Sequence, residues 1–261
     1  MQFETILYDI QDDGILWIRL NRPNVLNAVN QTLASEFRQA VDAAASDDQV
    51  KIVMVTGEGR AFCAGADLKE AAARTPAGER RDSTENLQAV ANTLRNMRKV
   101  AIAVVNGYAL GAGCEFVLDC DLVIASEAAI FGFPETGVGA TITGAGTYLL
   151  PQQLGLARAK ELVFLGEHVP AHDAQRLGLV NRVVPPEQLE QAATNLAKSV
   201  LEKSSTAIAL AKACLNIGAE STFSTAITYE RDAGLAAAST GDMVTAGKAF
   251  QEKRRPRYKQ G

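Results

Sequence analysis

The first apolar residues of the chain fall in two short blocks, Ile6-Leu7-Tyr8 and Ile15-Leu16-Trp17-Ile18-Arg19-Leu20, divided by Asp12-Asp13-Gly14. Two such runs around an Asp-Gly turn predict a β-hairpin, and Asn21-Arg22-Pro23 stops its second strand. Over 30–45 the period changes. Leu33, Phe37, Val41 and Ala44 recur every three or four positions, which is one face of an amphipathic helix. The run Ile52-Val53-Met54-Val55-Thr56-Gly57 is short, apolar and ended by Gly, the pattern of a strand buried on both faces. The alternation then repeats, with a helix over 87–98, a buried strand over 101–106, a helix over 113–120 and a strand over 122–125. Alternating elements with fully apolar strands predict an α/β fold whose mainly parallel sheet is covered by helices. The polar stretch 74–84, rich in Arg, Glu, Pro and Gly, reads as a mobile excursion.

Beyond Val184 the texture changes to Pro185-Pro186 and then to helical patterns over 188–202, 205–217 and 222–240, with no strand. This divides the chain into a core over 1–184 and a helical region over 185–261. The helical faces are Ala-rich and underfilled on their own, so they are expected to pack on another subunit.

Composition narrows the picture. A chain of 261 residues with 47% hydrophobic and 21% charged residues is that of a soluble globular protein with a sizeable core. A net charge of −4 offers no general attraction to nucleic acid or to an anionic membrane, so a phosphate-bearing partner needs local cations. No apolar run reaches the roughly 18–20 residues of a bilayer span, and the N-terminus lacks a basic-then-apolar leader. The expected location is cytoplasmic. Cys63, Cys114, Cys120 and Cys214 show no C-x-x-C pairing and have only His168 and His172 for company, which predicts free thiols and no metal site.

The candidate chemistry lies in Asn106-Gly107-Tyr108-Ala109-Leu110-Gly111-Ala112-Gly113-Cys114-Glu115 and, twenty residues later, Phe133-Pro134-Glu135. A glutamate is ordinarily a solvated charge, yet Glu115 precedes Phe116-Val117-Leu118 and Glu135 follows Phe133-Pro134, so both sit among apolar neighbours. Two close carboxylates in a dry pocket repel each other, and with desolvation this raises at least one pKa toward neutrality. An acid and a base can then coexist. The Gly-rich backbone leaves N–H groups free to meet a carbonyl oxygen, and one oxyanion donor is worth roughly 2.7–4 kcal/mol in the transition state. A second nearly side-chain-free loop, Ala61-Phe62-Cys63-Ala64-Gly65-Ala66-Asp67, follows a strand. Alone it would read as a tight turn; beside another such loop and two glutamates it reads as part of a site. Gly-x-Gly before a helix lacks the full dinucleotide fingerprint, which removes nicotinamide binding. Asp67 suits loop-fixing or helix-capping as well as catalysis. Asp121 reads as a backbone pin, His168 and His172 as surface or packing residues, and Cys114, with no partner His, as no nucleophile.

Five separated blocks carry a resemblance: Leu20-Asn21-Arg22-Pro23 with Leu26-Asn27-Ala28, Gly57 through Leu68, Asn106 through Glu115, Phe131-Gly132-Phe133-Pro134-Glu135, and Ala174-Gln175-Arg176-Leu177-Gly178-Leu179-Val180. In their order and spacing the chain resembles the enoyl-CoA hydratase/isomerase (crotonase) family nearly end to end. The resemblance implies a crotonase-like spiral of ββα turns with a helical C-terminal trimerisation region, and a homotrimer or dimer of trimers. It implies an oxyanion hole made by the N–H groups of Ala66 and Ala112. Glu115 and Glu135 match the two carboxylates that hydratases keep, which implies reversible syn-hydration of a 2-enoyl-CoA thioester through an enolate, with coenzyme A part of the substrate and no further cofactor. Arg22, Ala64, Ala66, Asp67, Leu68 and Lys69 match the CoA site, and the basic tail from Lys253 to Lys259 is a further candidate for the CoA phosphates. Two departures stand out: Gly111-Ala112-Gly113 where relatives often carry three glycines, and a segment from Thr136 to Gly146 without the Pro-Gly-Ala-Gly-Gly form, which leaves acyl preference open. The rival reaction is double-bond isomerisation or another acyl-CoA lyase step through the same enolate. Outside that chemistry stands a non-catalytic RNA-binding homologue, which would need a lost glutamate or a basic groove with exposed aromatics.

Overall fold

The computed structural model describes residues 2–73 and 80–258. In chain order the elements are β1 (Ile6–Ile10), β2 (Ile15–Leu20), α1 (Gln31–Ser46), β3 (Ile52–Gly57), β4 (Ala61–Cys63), α2 (Leu68–Ala73), α3 (Arg80–Asn96), β5 (Val100–Val105), β6 (Tyr108–Leu110), α4 (Ala112–Leu118), β7 (Leu122–Ser126), β8 (Ile130–Gly132), α5 (Gly146–Leu154), α6 (Leu156–Leu165), β9 (Val169–Pro170), α7 (Ala171–Leu177), β10 (Arg182–Val184), α8 (Leu189–Leu201), α9 (Ser205–Glu220), α10 (Phe223–Ser239) and α11 (Asp242–Gln251).

A six-stranded sheet runs β1-β2-β3-β5-β7-β10 and a four-stranded sheet runs β4-β6-β8-β9. Three times the chain places one strand in the large sheet and the next in the small one: β3 then β4, β5 then β6, β7 then β8. A helix follows each pair, so the unit is a ββα turn and its repetition is a spiral. Parallel pairing holds from β2 through β10 in the large sheet, while the β1–β2 hairpin is antiparallel with Ile6 opposite Leu20.

Strand periodicity sorts the core. In β2, Leu16, Ile18 and Leu20 face a cluster that includes α1 and α3, whereas Ile15 and Trp17 face the other side with Met54 and Ile102, where Leu189, Ala193 and Leu196 of α8 cover them. All six residues of β3 and of β5 are buried, as the unbroken apolar runs require.

Sequence and structure differ in three places. The small sheet was not expected, because its strands are two or three residues long and too brief to carry a period. Residues 80–84 of the expected excursion form the start of α3, and 74–79 lie outside the described residues. Helix α11 was also missed; Gly241, at φ +79°, turns the chain sharply between α10 and α11.

The C-terminal helices are fastened to the core by one buried cation. Lys212 of α9 donates to Asp121 Oδ2 (2.7 Å), to the Leu94 carbonyl (2.7 Å) and to the Lys99 carbonyl (3.0 Å). Asp121 also accepts from the Ala101 N–H (2.8 Å), the backbone pin expected of it. Farther out, Leu215, Phe223, Leu235, Met243 and Phe250 stand exposed along α9–α11. Removing one partner of a buried ion pair strands the other charge, so Lys212→Met should cost about 3 kcal/mol in urea unfolding. Lys198→Met, at the exposed 4.0 Å pair with Asp13, should change stability by less than about 0.5 kcal/mol.

Candidate active site

Strands β4, β6 and β8 lie side by side and parallel, so the turns that leave their C-terminal ends meet at one edge. Asn27 and Asn106 hold the first strand there. The Asn27 amide donates to the carbonyls of Glu58 and Ala61, and the Asn106 amide donates to those of Gly57, Gly59 and Ala61. The turns touch backbone to backbone. A Cβ on Gly113 would fall 2.2 Å from the Cys63 carbonyl, and one on Gly65 would fall 2.9 Å from that of Leu110. Only glycine allows this approach. Gly111, at φ +53° and ψ −122°, takes the sharp bend before α4.

This geometry frees two amides. Gly65 O accepts from the Val29 N–H (2.7 Å) and the Asp67 N–H donates to Val29 O (2.9 Å). In such a parallel bridge the intervening residue, Ala66, turns its own N–H to the other side. Ala112 is the first residue of α4, where an N–H has no acceptor inside the helix. Neither amide is spent on another acceptor among the described residues. The methyl group of Ala112 costs no backbone strain, because Gly111 and not Ala112 has the positive φ.

Glu115, in the first turn of α4, is buried at 3% exposure. One of its oxygens accepts from the N–H groups of Thr143 (3.0 Å) and Gly144 (2.5 Å). Burial raises its pKa, and the amides of Gly144, Thr143 and Gly146 oppose that rise. Glu135 follows β8; both its oxygens are covered and have no hydrogen-bond partner among the described residues. Burial first, and then the charge on Glu115, push its pKa up to about 7. The two carboxyl groups thus share one apolar region and feel each other, and a Cβ on Gly111 would lie 3.4 Å from Glu135 Oε1. The sequence expectation of a carboxyl raised toward neutrality agrees with this. Cys114, beside both, is buried and its thiol is pushed up by burial.

The residues matching a CoA site lie on the outer side of the same loop. Ala66, Leu68 and Lys69 are exposed and Ala64 is half-buried. Asp67 caps α2 through the Glu70 N–H (3.3 Å) and pairs with Arg22 at 3.1 Å. Burial works against its charge, but the Glu70 amide and Arg22 outweigh it and hold the carboxyl low. Arg22 also donates to the Ala28 carbonyl, so it fastens the loop. In the basic tail Arg254 pairs with Glu252 and Arg255 with Glu202; Lys259 lies outside the described residues. His168 stacks loosely near Tyr108, away from the glutamates. No group of three His, Cys, Asp or Glu side chains among the described residues could hold a metal ion.

The profile described as Enoyl-CoA hydratase/isomerase matches residues 11–261. The chain belongs to the enoyl-CoA hydratase/isomerase family. It is 36% identical over 259 residues to a crotonyl-CoA hydratase of Syntrophomonas wolfei, covering 99% of each chain. It is 37% identical over 256 residues to a short-chain-enoyl-CoA hydratase of Clostridium acetobutylicum, covering 98% of this chain and 97% of that one. A crystal structure of enoyl-CoA hydratase from Bacillus anthracis superposes with a TM-score of 0.94 at 33% identity, covering 99% of this chain and 100% of the other. The spiral with its C-terminal helices is therefore the architecture of enoyl-CoA hydratases, and the chain is an enzyme of that family.

This enoyl-CoA hydratase/isomerase family member also carries a group that the sequence reading passed over. Asp119 ends α4 one helical turn after Glu115, with its N–H donating to the Glu115 carbonyl at 3.0 Å. Both its carboxyl oxygens are buried with no hydrogen-bond partner among the described residues. The available signal was a charged residue at i+4 from Glu115 inside Phe116-Val117-Leu118-Asp119-Cys120. Burial and the charge of Glu115 raise its pKa well above the ordinary value, against a smaller pull from Arg95. The native state therefore keeps a proton that the unfolded chain releases near pH 4. The contribution is stabilising below that pH and is lost as pH rises toward the folded pKa. Melting temperatures from pH 4 to 8 should fall more steeply for the wild type than for Asp119→Asn; parallel curves would contradict the assignment.

Proposed function

We propose that the enzyme catalyses reversible syn-hydration of a 2-enoyl-CoA thioester to the 3-hydroxyacyl-CoA. The observation that carries this reading is the pair Glu115 and Glu135 set beside two unspent backbone amides, at the ends of three parallel strands. The names of the relatives support the same reaction class.

In this mechanism the thioester oxygen lies between the N–H groups of Ala66 and Ala112. Glu115, held charged by three amides, takes a proton from water as the hydroxyl oxygen bonds to C3. The C2–C3 π pair moves into the thioester as an enolate, whose oxygen charge the two amides absorb. The enolate then takes a proton at C2 from Glu135, whose raised pKa keeps it protonated near neutrality. A proton passing from Glu115 back to Glu135 restores the site. Coenzyme A is bound as part of the substrate, along Ala64, Ala66, Asp67, Leu68 and Lys69, with Arg22 bracing that loop through Asp67.

The exposed apolar side chains on α9–α11 support a homotrimer or a dimer of trimers formed through the region 185–261, against a catalytic core over 1–184. The four free cysteines, three of them buried, fit a reducing compartment, and we place the enzyme in the cytoplasm. Among the described residues no helix is long and apolar enough to cross a membrane.

Hydration is measured as loss of the conjugated enoyl absorbance, and its appearance from a 3-enoyl-CoA would instead mark isomerisation. Glu115→Gln and Glu135→Gln should each lower hydration about 10²–10⁴-fold; a loss within about threefold for Glu135→Gln would remove it from the mechanism. Hydration needs Glu135 protonated, so kcat/KM should decline as pH rises through about 7. Dehydration needs it ionised and should gain over the same range. Glu135→Gln should abolish both limbs.

A further inference from the structure

A cavity of about 580 Å³ lies between α3 and α5, with Glu220 of α9 at its rim. It adjoins the glutamate site through a single layer of backbone. Thr143 and Ala145 line the cavity, while a Cβ on Gly144 or Gly146, the residues between and after them, would fall 3.2 Å from the Glu115 carboxyl group. Gln88 ties the two together: its side-chain amide donates to the Thr143 carbonyl (3.1 Å), and the Thr143 N–H donates to Glu115.

The α3 wall is a ladder of side-chain amides. Gln88, Asn92 and Asn96 are spaced i, i+4 and i+8, so they stack along one face of the helix and all line the cavity. Asn96 donates to the Asn92 side-chain oxygen at 3.0 Å, which orients the ladder. Opposite stand Thr147 and Tyr148, whose hydroxyl groups are bonded to nothing else among the described residues. The charge is balanced, since Arg95 pairs with Glu220 and lies over the Tyr148 ring at 5.7 Å. A hydrocarbon tail laid against this wall would strip water from amides and return no hydrogen bond, at a cost of roughly 1–3 kcal/mol per stranded group. A tail carrying an oxygen would replace that water.

We propose that this cavity receives the far end of the acyl group and favours one ending in a hydrogen-bonding oxygen, a hydroxyl or a carboxylate, over a plain alkyl end. The inference rests on the hydratase reading and adds to it a substrate class.

The experiment measures hydration of three 2-enoyl-CoA thioesters of equal chain length, ending in methyl, hydroxyl or carboxylate, by the wild type and by Asn92→Leu/Asn96→Leu. The oxygen-ended thioesters should exceed the methyl-ended one in kcat/KM by about tenfold, and the double variant should shrink that ratio to below about threefold. A wild type that hydrates the methyl-ended thioester equally well or better overturns the inference and leaves the hydratase reading standing. So does a preference that the double variant keeps unchanged. No turnover on any of the three removes the hydratase reading and the inference with it. If the double variant does not fold, as its melting curve would show, Asn92→Ala takes its place with the same two outcomes.

Discussion

The turns leaving β4 and β6 lie so close that the Cys63 carbonyl and the α-carbon of Gly113 leave no room for a methyl group. That contact fixes much of the rest. It sets the start of α4 against the Ala64–Asp67 loop, and it leaves the amides of Ala66 and Ala112 without internal partners. It also drives Glu115, two residues after Gly113, into the protein interior. Asn27 and Asn106 serve the same contact from behind by clamping the carbonyls of the β4 hairpin. Backbone hydrogen-bonding groups are rarely left unpaired. Two unspent amides at one sheet edge, beside two covered carboxyl groups, are therefore a concentrated departure from ordinary folding economy, and departures of this kind gather at functional sites.

Burial and hydrogen bonding divide the buried acids in different ways. Glu115 is the most enclosed of the pair, yet three amides favour its charged form. Glu135 is less enclosed, and apart from a backbone hydrogen bond within its own residue little offsets the loss of water. Environments that separate two neighbouring carboxyls let one fold hold an acid and a base side by side. Asp119 is a third case: no donor reaches it, and it lies within the field of Glu115. Its cost falls on the same short helix that carries Glu115, so α4 concentrates buried acidity that the cations Arg95 and Lys212 only partly offset.

What could be read from the sequence depended on length of pattern. β3 and β5 are six-residue apolar runs and were legible, as was α1 from its four spaced apolar residues. The three-residue strands β4, β6 and β8 were not, because a period of two cannot be established over three positions. Yet these strands build the site. It became legible only through chemistry, since glutamates flanked by Phe, Pro and Cys and loops stripped of side chains are improbable as surface. The amides that hold Glu115 lay beyond reach for another reason. Thr143, Gly144 and Gly146 act through backbone N–H groups, which every residue but proline possesses, and only the path of the chain reveals where those groups point.

That path constrains any account of selectivity. Along 143–146 the chain alternates, turning Gly144 and Gly146 toward Glu115 and Thr143 and Ala145 toward the neighbouring cavity. The alternation is held by Ala145 in a left-handed conformation at φ +73°, a strain that a residue with a Cβ accepts only when its surroundings fix it. The glycines cannot grow without striking the Glu115 carboxyl group, so variation on the carboxylate side is closed. Variation on the cavity side is open at Thr143 and Ala145, but any change there tugs on the amides that orient Glu115. The shape of the cavity and the setting of the buried carboxylate are consequently one property of four consecutive residues, and neither can be altered without a response in the other.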